Sequence, residues 1–71
     1  MIKIFKTKEF PSFYRIDERE ASYLEKRELE DWLDVNLPYW REFFLKGQLF
    51  FSDEKREQEL IFRLKWNIYE S

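Results

Sequence analysis

The sequence predicts an α+β fold, a small β-α-α-β-β domain with two helices packed on one face of an antiparallel sheet. In residues 1–5, Ile2 and Ile4 alternate with Lys3 and Phe5, which predicts a half-buried strand. Residues 17–35 contain neither Gly nor Pro and predict a long helix. Residues 59–69 carry apolar side chains at every second position: Leu60, Phe62, Leu64, Trp66 and Ile68. An all-α three-helix fold is the alternative, because Asp53 and Glu54, followed by bases, also suit a helix start.

The first helix is predicted to begin at Asp17, a favoured N-cap residue with Glu20 three positions later, as in a capping box. Its predicted apolar stripe is Ala21, Leu24, Leu29, Trp32 and Val35, with Leu33 at the margin. Pro38 ends this helix, because it lacks a backbone donor and disfavours the helical conformation of the preceding residue. A second, shorter helix is predicted over residues 38–46, with Gly47 just past its end.

The remaining segments complete a small sheet. Residues 7–12 contain a proline and are predicted to form a loop, followed by a second extended stretch at residues 13–16. Residues 48–52 and 59–69 are predicted to form a β-hairpin around a charged loop. The side chains expected to point toward the helices are Ile2, Ile4, Leu60, Phe62, Leu64 and Trp66.

Composition excludes most catalytic chemistry. The 71 residues allow one domain, and they include no Cys and no His. Disulfides, thiolate or imidazole metal sites, a Cys nucleophile and a base that titrates near neutral pH are therefore excluded. The single glycine rules out a phosphate-cradling loop. We expect no enzymatic activity, no cofactor and no small-molecule substrate. The chain has no long apolar run and no leader, so we expect a cytoplasmic protein without membrane association.

The aromatic content indicates a binding surface. Eight Phe, four Tyr and three Trp make up 21% of the chain, more than so small an interior can enclose. Exposed aromatic side chains beside arginine are typical of protein interfaces. We therefore predict a small protein-binding module, a regulator or inhibitor that occludes a protein partner or acts as a homodimer. Its candidate contact residues lie on the sheet face away from the helices and beside it: Phe5, Phe50, Ile61, Arg63, Lys65 and Tyr69.

Nucleic-acid binding is the alternative function. Two helices followed by a hairpin are typical of winged-helix and excisionase-like modules, in which a recognition helix enters the major groove. Here that helix would be residues 38–46, with Arg41 and Lys46 as its bases, while Lys55 and Arg56 would lie at the wing tip. The sheet face could instead stack the bases of a single strand. The net charge of −2 favours a protein partner over a polyanion.

The opening residues 2–10, Ile-Lys-Ile-Phe-Lys-Thr-Lys-Glu-Phe, resemble the start of some RelE-type toxin subunits. That family's element order also begins β-α-α-β, so the resemblance implies a RelE-like toxin fragment as an outside alternative function. The Gly- and Arg-rich segment that such ribonucleases carry on their central strands is absent from this chain. No site residue is therefore transferred from the family.

Overall fold

The computed structural model describes residues 1–7 and 12–70, so the predicted loop at residues 7–12 lies largely outside the described residues. Five strands and two helices follow one another in the described chain. They are β1 (Lys3–Lys6), β2 (Phe13–Asp17), α1 (Tyr23–Asn36), β3 (Phe44–Leu45), β4 (Gln48–Phe50), α2 (Arg56–Lys65) and β5 (Ile68–Glu70). Short 3-10 helices at Trp40–Phe43 and Asp53–Lys55 precede β3 and α2. The predicted α+β class is confirmed, and the all-α alternative is wrong.

The five strands form one mixed sheet in the order β3-β4-β2-β1-β5. All neighbouring pairs are antiparallel except β1 and β5, which run parallel with Ile4 opposite Ile68. The prediction of a wholly antiparallel sheet is therefore wrong in this one pair, where α2 carries the chain back to the far edge. Lys46 and Gly47 join β3 to β4 with φ values of 53° and 78°. Positive φ at both turn residues is typical of a two-residue hairpin, and glycine adopts it at no steric cost.

The first helix begins later than its sequence suggests. Ser22, not Asp17, is the N-cap: the Glu25 backbone N–H donates to Ser22 Oγ at 3.1 Å, and the Ser22 N–H donates to Glu25 Oε1 at 3.0 Å. Asp17 instead ends β2. The helix therefore begins with a capping box, as predicted. Residues 17–20 and 22–25 both match this motif, and the second of them forms the cap. Of the predicted apolar stripe, Leu24 and Val35 are exposed.

Replacing Ser22 with alanine is expected to lower the free energy of unfolding by about 1 kcal/mol, because the Glu25 N–H loses its acceptor. Ser52 offers a matched control, since it precedes a 3-10 helix and makes no capping hydrogen bond through its side chain. Urea denaturation of both alanine variants measures the difference. Equal losses in the two variants would contradict this role for Ser22.

The predicted C-terminal hairpin at residues 48–52 and 59–69 does not form, because Arg56–Lys65 is a helix. Strong helix formers fill this segment, and Ile61 is its only β-branched residue. Acids lie in its first turn and bases in its last, as the helix dipole favours. Phe62 and Glu59, three residues apart, point inward, whereas Leu60 and Leu64 are exposed rather than buried as predicted. Local helix propensity therefore outweighs the alternation of apolar residues.

The predicted second helix at residues 38–46 is also wrong. Only Trp40–Phe43 is helical, as a single 3-10 turn, and the chain then becomes β3. Tyr39 enters this turn with φ 67°, a left-handed conformation that interrupts regular helix. Trp40 is 8% exposed and packs edge-on against Phe44, with ring centroids 5.7 Å apart.

The core lies between the sheet and the two helices. Side chains of one sheet face and both helices form a single cluster: Ile2, Ile4, Tyr14, Ile16, Leu29, Leu33, Leu37, Trp40, Leu49, Phe51 and Phe62. Trp32 of α1 contacts Phe62 and Trp66 of the second helix region, with ring centroids 5.7 and 5.3 Å apart. Both helices thus cover the same sheet face, but the second of them is α2 rather than the predicted helix at residues 38–46. Neither helix is long and apolar enough to span a bilayer.

Candidate protein-binding surface

The sheet face opposite the helices is not covered by either helix. Side chains alternate along each strand, so the residues between the buried positions of β1, β2 and β4 point to this side. We call this surface the open face. It comprises Lys3, Phe5, Phe13, Arg15, Asp17, Leu45, Gln48, Phe50 and Tyr69.

Aromatic side chains form two groups on the open face. Phe5 and Tyr69, opposite each other on β1 and β5, have ring centroids 5.4 Å apart. Phe13 and Phe50, opposite each other on β2 and β4, are 4.7 Å apart. Phe43 extends the second group, 6.3 Å from Phe50. The two groups therefore place apolar rings along most of the width of the sheet.

Arg15 lies between the two aromatic groups. It is the middle residue of β2, and β2 is the middle strand of the sheet. Its guanidinium lies over the Phe5 ring, 4.3 Å from the centroid, in a cation–π contact. The side chain is exposed, and no carboxylate of the described residues forms an ion pair with it.

The other charged groups on the open face already have partners. The Arg19 guanidinium donates to both carboxylate oxygens of Asp17, at 3.0 and 2.8 Å. These hydrogen bonds hold the pKa of Asp17 well below its usual range. Lys3 Nζ lies 3.6 Å from Glu20 Oε2. Arg15 is therefore the charge on this surface that is held by an aromatic ring rather than by an acid.

A groove of about 350 Å³ opens beside the second aromatic group. Its walls combine apolar rings with a polar rim: Phe13, Glu42, Phe43, Leu45, Lys46, Gln48 and Phe50. Leu45, at its edge, is 74% exposed. Apolar side chains of a partner protein bind in concave sites of this kind, where they can be fully desolvated.

The structure brings together half of the contact residues predicted from the sequence. Phe5, Phe50 and Tyr69 lie on the open face. Ile61 and two further candidates, Arg63 and Lys65, do not, because they belong to α2 on the opposite side of the sheet. These three residues are therefore withdrawn from the predicted surface, since a helix does not send alternate side chains to one face.

The contact residues predicted from the sequence omit six residues of the open face: Phe13, Arg15, Asp17, Lys3, Leu45 and Gln48. A signal was present for the first two, because residues 13–17 alternate aromatic or charged side chains with the buried Tyr14 and Ile16. No comparable signal existed for Leu45 and Gln48. Leu45 lies on a strand of two residues and Gln48 on a strand of three, and both strands are too short to produce a periodic pattern.

The residues predicted for nucleic-acid binding do not form one surface of the expected kind. Arg41 lies on the 3-10 turn and pairs with Asp34 at 3.3 Å. Lys46 lies in the β3–β4 turn, Lys55 ends the second 3-10 helix, and Arg56 begins α2, where it pairs with Asp53. The described chain contains neither the predicted recognition helix nor the predicted wing, so the predicted winged-helix arrangement is wrong.

No set of three or more carboxylates among residues 1–7 and 12–70 is placed to hold a metal ion. Within the described core, the Tyr14 hydroxyl donates to Glu59 Oε2 at 2.6 Å. This pair lies in the core, beneath the sheet, and does not reach the open face. Comparison of the chain with models of known protein families, with curated proteins and with solved structures found no match.

Proposed function

We propose that this chain is a non-enzymatic module that binds another protein through the open face. The observation that supports this most strongly is the composition of that surface, in which aromatic rings surround an exposed arginine beside an apolar groove. Aromatic residues and arginine are enriched at the energetic centres of protein interfaces, whereas acidic residues and lysine are depleted there.

The exposed apolar residues on the helical side of the molecule differ from those of the open face. Its exposed apolar residues include Leu24 and Val35 on α1 and Leu60 and Leu64 on α2. Tyr23 on α1 is also exposed, but the other exposed apolar side chains of the two helices are aliphatic, and single exposed residues of this kind are ordinary in monomeric proteins. The open face instead combines aromatic anchors with a concave site.

Replacing Phe50 with glutamate is expected to weaken partner binding by about 30-fold or more, the effect of losing an interface hot spot. Leu45→Glu, at the exposed edge of the same groove, is expected to weaken binding as well. Leu64→Glu is the matched control, because Leu64 is 88% exposed on the helical side. Partners captured from the source organism would be purified, and their dissociation constants for each variant measured by calorimetry.

The outcomes separate the candidate functions. Equal affinity of Phe50→Glu, Leu45→Glu and the wild type for a purified partner would contradict the proposal. Light scattering of the wild type tests self-association: a dimer that Phe50→Glu dissociates would make a second copy the partner. Salt-sensitive binding of random single-stranded DNA, lost in Phe50→Glu and retained in Leu64→Glu, would favour nucleic-acid binding instead.

A further inference from the structure

The charge distribution of the molecule indicates what kind of protein the open face would bind, an inference that rests on the proposed function. The acids cluster on α1, which carries five acidic and two basic residues, a net charge of −3, whereas α2 carries two acidic and three basic residues. On the open face, Arg19 already neutralises Asp17. Arg15 remains as a cation at the centre of the apolar surface.

A second copy of the chain fits this surface poorly. In a symmetric dimer the same patch packs against itself about a two-fold axis. Because Arg15 is the middle residue of the middle strand, a face-to-face dimer centred on the patch would bring two guanidinium groups together. Burying two like charges without a counter-charge is costly, so symmetry works against this occupant.

A partner with an acidic side chain would supply the counter-charge that Arg15 needs when it is buried in an interface. The Arg15 guanidinium lies over the Phe5 ring, and an aromatic ring takes up none of its N–H donors in a carboxylate pair, so these donors are available to bind a carboxylate. Arginine binds carboxylates through two parallel hydrogen bonds, which are strengthened when neighbouring apolar groups exclude water. The two aromatic groups and the groove lie on either side of Arg15 to provide those apolar contacts.

We propose that the open face recognises an acidic protein segment in which an Asp or Glu side chain binds Arg15 while a flanking aromatic or aliphatic side chain occupies the groove beside Phe50. The acidic α1 of the protein lies on the opposite side of the sheet. It therefore does not repel a segment that binds here. The same acidic helix disfavours a long polyanion, which would extend beyond the open face.

The test uses a displayed library of random linear peptides, selected in parallel on the wild type, Arg15→Glu and Arg41→Glu. Arg41 is the matched control because its guanidinium also lies over an aromatic ring, 4.4 Å from the Trp40 centroid, but already pairs with Asp34. Amide NMR spectra establish that each variant is folded, and Arg15→Gln provides a second variant without charge reversal.

We expect peptides selected on the wild type and on Arg41→Glu to be enriched in Asp and Glu beside apolar residues. Their affinity for Arg15→Gln is expected to fall at least about tenfold. Arg15→Glu is expected to select Lys and Arg instead. Three outcomes would overturn the inference. The peptides selected on the wild type could lack an excess of acidic residues, Arg15→Glu could select the same peptides as the wild type, or the wild type could select no peptide above background.

Two further arms separate this inference from the proposed function. If selected peptides lack acids but still lose binding to Phe50→Glu, the open face is a binding surface and only the acidic specificity is wrong. If binding is indifferent to Phe50→Glu, the proposed function itself is wrong. Random single-stranded DNA that binds the wild type and Arg41→Glu but not Arg15→Glu would overturn the acidic-protein inference in favour of a phosphate ligand.

Discussion

Phe62→Ala is expected to unfold most of the protein at room temperature. The Phe62 ring is fully buried and contacts four other rings: Tyr14, Trp32, Phe51 and Trp66, with centroids 5.1–5.7 Å away. Removing a buried phenylalanine costs about 3–5 kcal/mol. A core of this size supplies only about 3–5 kcal/mol of net stability, so the loss is comparable to the whole.

Tryptophan fluorescence and far-UV circular dichroism during urea titration measure this effect. Leu64→Ala, two residues further along α2 and 88% exposed, is the control and is expected to behave like the wild type. A Phe62→Ala protein that unfolds cooperatively near the wild-type midpoint would show that the surrounding rings are not held together by Phe62.

The second large effect is expected at the buried Tyr14–Glu59 pair. Glu59 is 7% exposed, and its carboxylate accepts the short hydrogen bond from the Tyr14 hydroxyl. Tyr14→Phe removes this donor and leaves a buried carboxylate with one fewer partner. We expect the free energy of unfolding to fall by about 1–3 kcal/mol.

A double-mutant cycle isolates the interaction. Glu59→Leu is expected to be destabilising alone, because the Tyr14 hydroxyl then lacks its acceptor. Combining it with Tyr14→Phe removes both polar groups and is expected to cost less than the sum of the two single changes. Additive losses, measured by urea unfolding, would mean that the two side chains do not stabilise each other.

The same pair predicts how stability depends on pH. Burial raises the pKa of Tyr14 well above its usual range, and the hydrogen bond to Glu59 raises it further. The phenol therefore stays protonated in the folded state at a pH where it ionises in the unfolded state. Its contribution is fully present below about pH 10 and is lost as the pH rises above that value.

Unfolding free energies of the wild type and Tyr14→Phe, measured at neutral pH and on both sides of about pH 10, check this expectation. The stability difference between the two proteins is expected to narrow as the solution becomes more alkaline. Tyr14→Phe retains the other three tyrosines, so their titration cancels in the comparison. A difference that stays constant would contradict an ionisation linked to folding at Tyr14.

Some parts of the fold follow from local sequence alone. The alternation in residues 1–5 correctly indicates β1 and the burial of Ile4 within it and of Ile2 just before it. The long segment without Gly or Pro correctly indicates α1, although Ser22-x-x-Glu25 rather than Asp17-x-x-Glu20 begins it. Two equivalent capping motifs lie five residues apart, and pairing of residues 13–17 with β1 decides between them.

Other parts were not predictable from periodicity. In α2, Leu60, Phe62 and Leu64 alternate as strand residues do, yet only Phe62 is buried. Tertiary contacts add to the helix propensity of this segment, because a helix points Phe62 and Glu59 together at the core, where Phe62 contacts four rings and Glu59 contacts Tyr14. The side chains that Phe62 and Glu59 contact come from distant segments of the chain, so these contacts could not be predicted from local sequence.

By itself, the sequence determined the α+β class, the absence of thiol and imidazole chemistry, and an aromatic surplus too large for the interior. These are properties of composition and local periodicity, which need no knowledge of distant contacts. Only the tertiary structure decided which aromatic residues are displayed and that Arg15 lies among them. Strand order and register determine those neighbours, and both arise from long-range pairing that places β2 between β1 and β4.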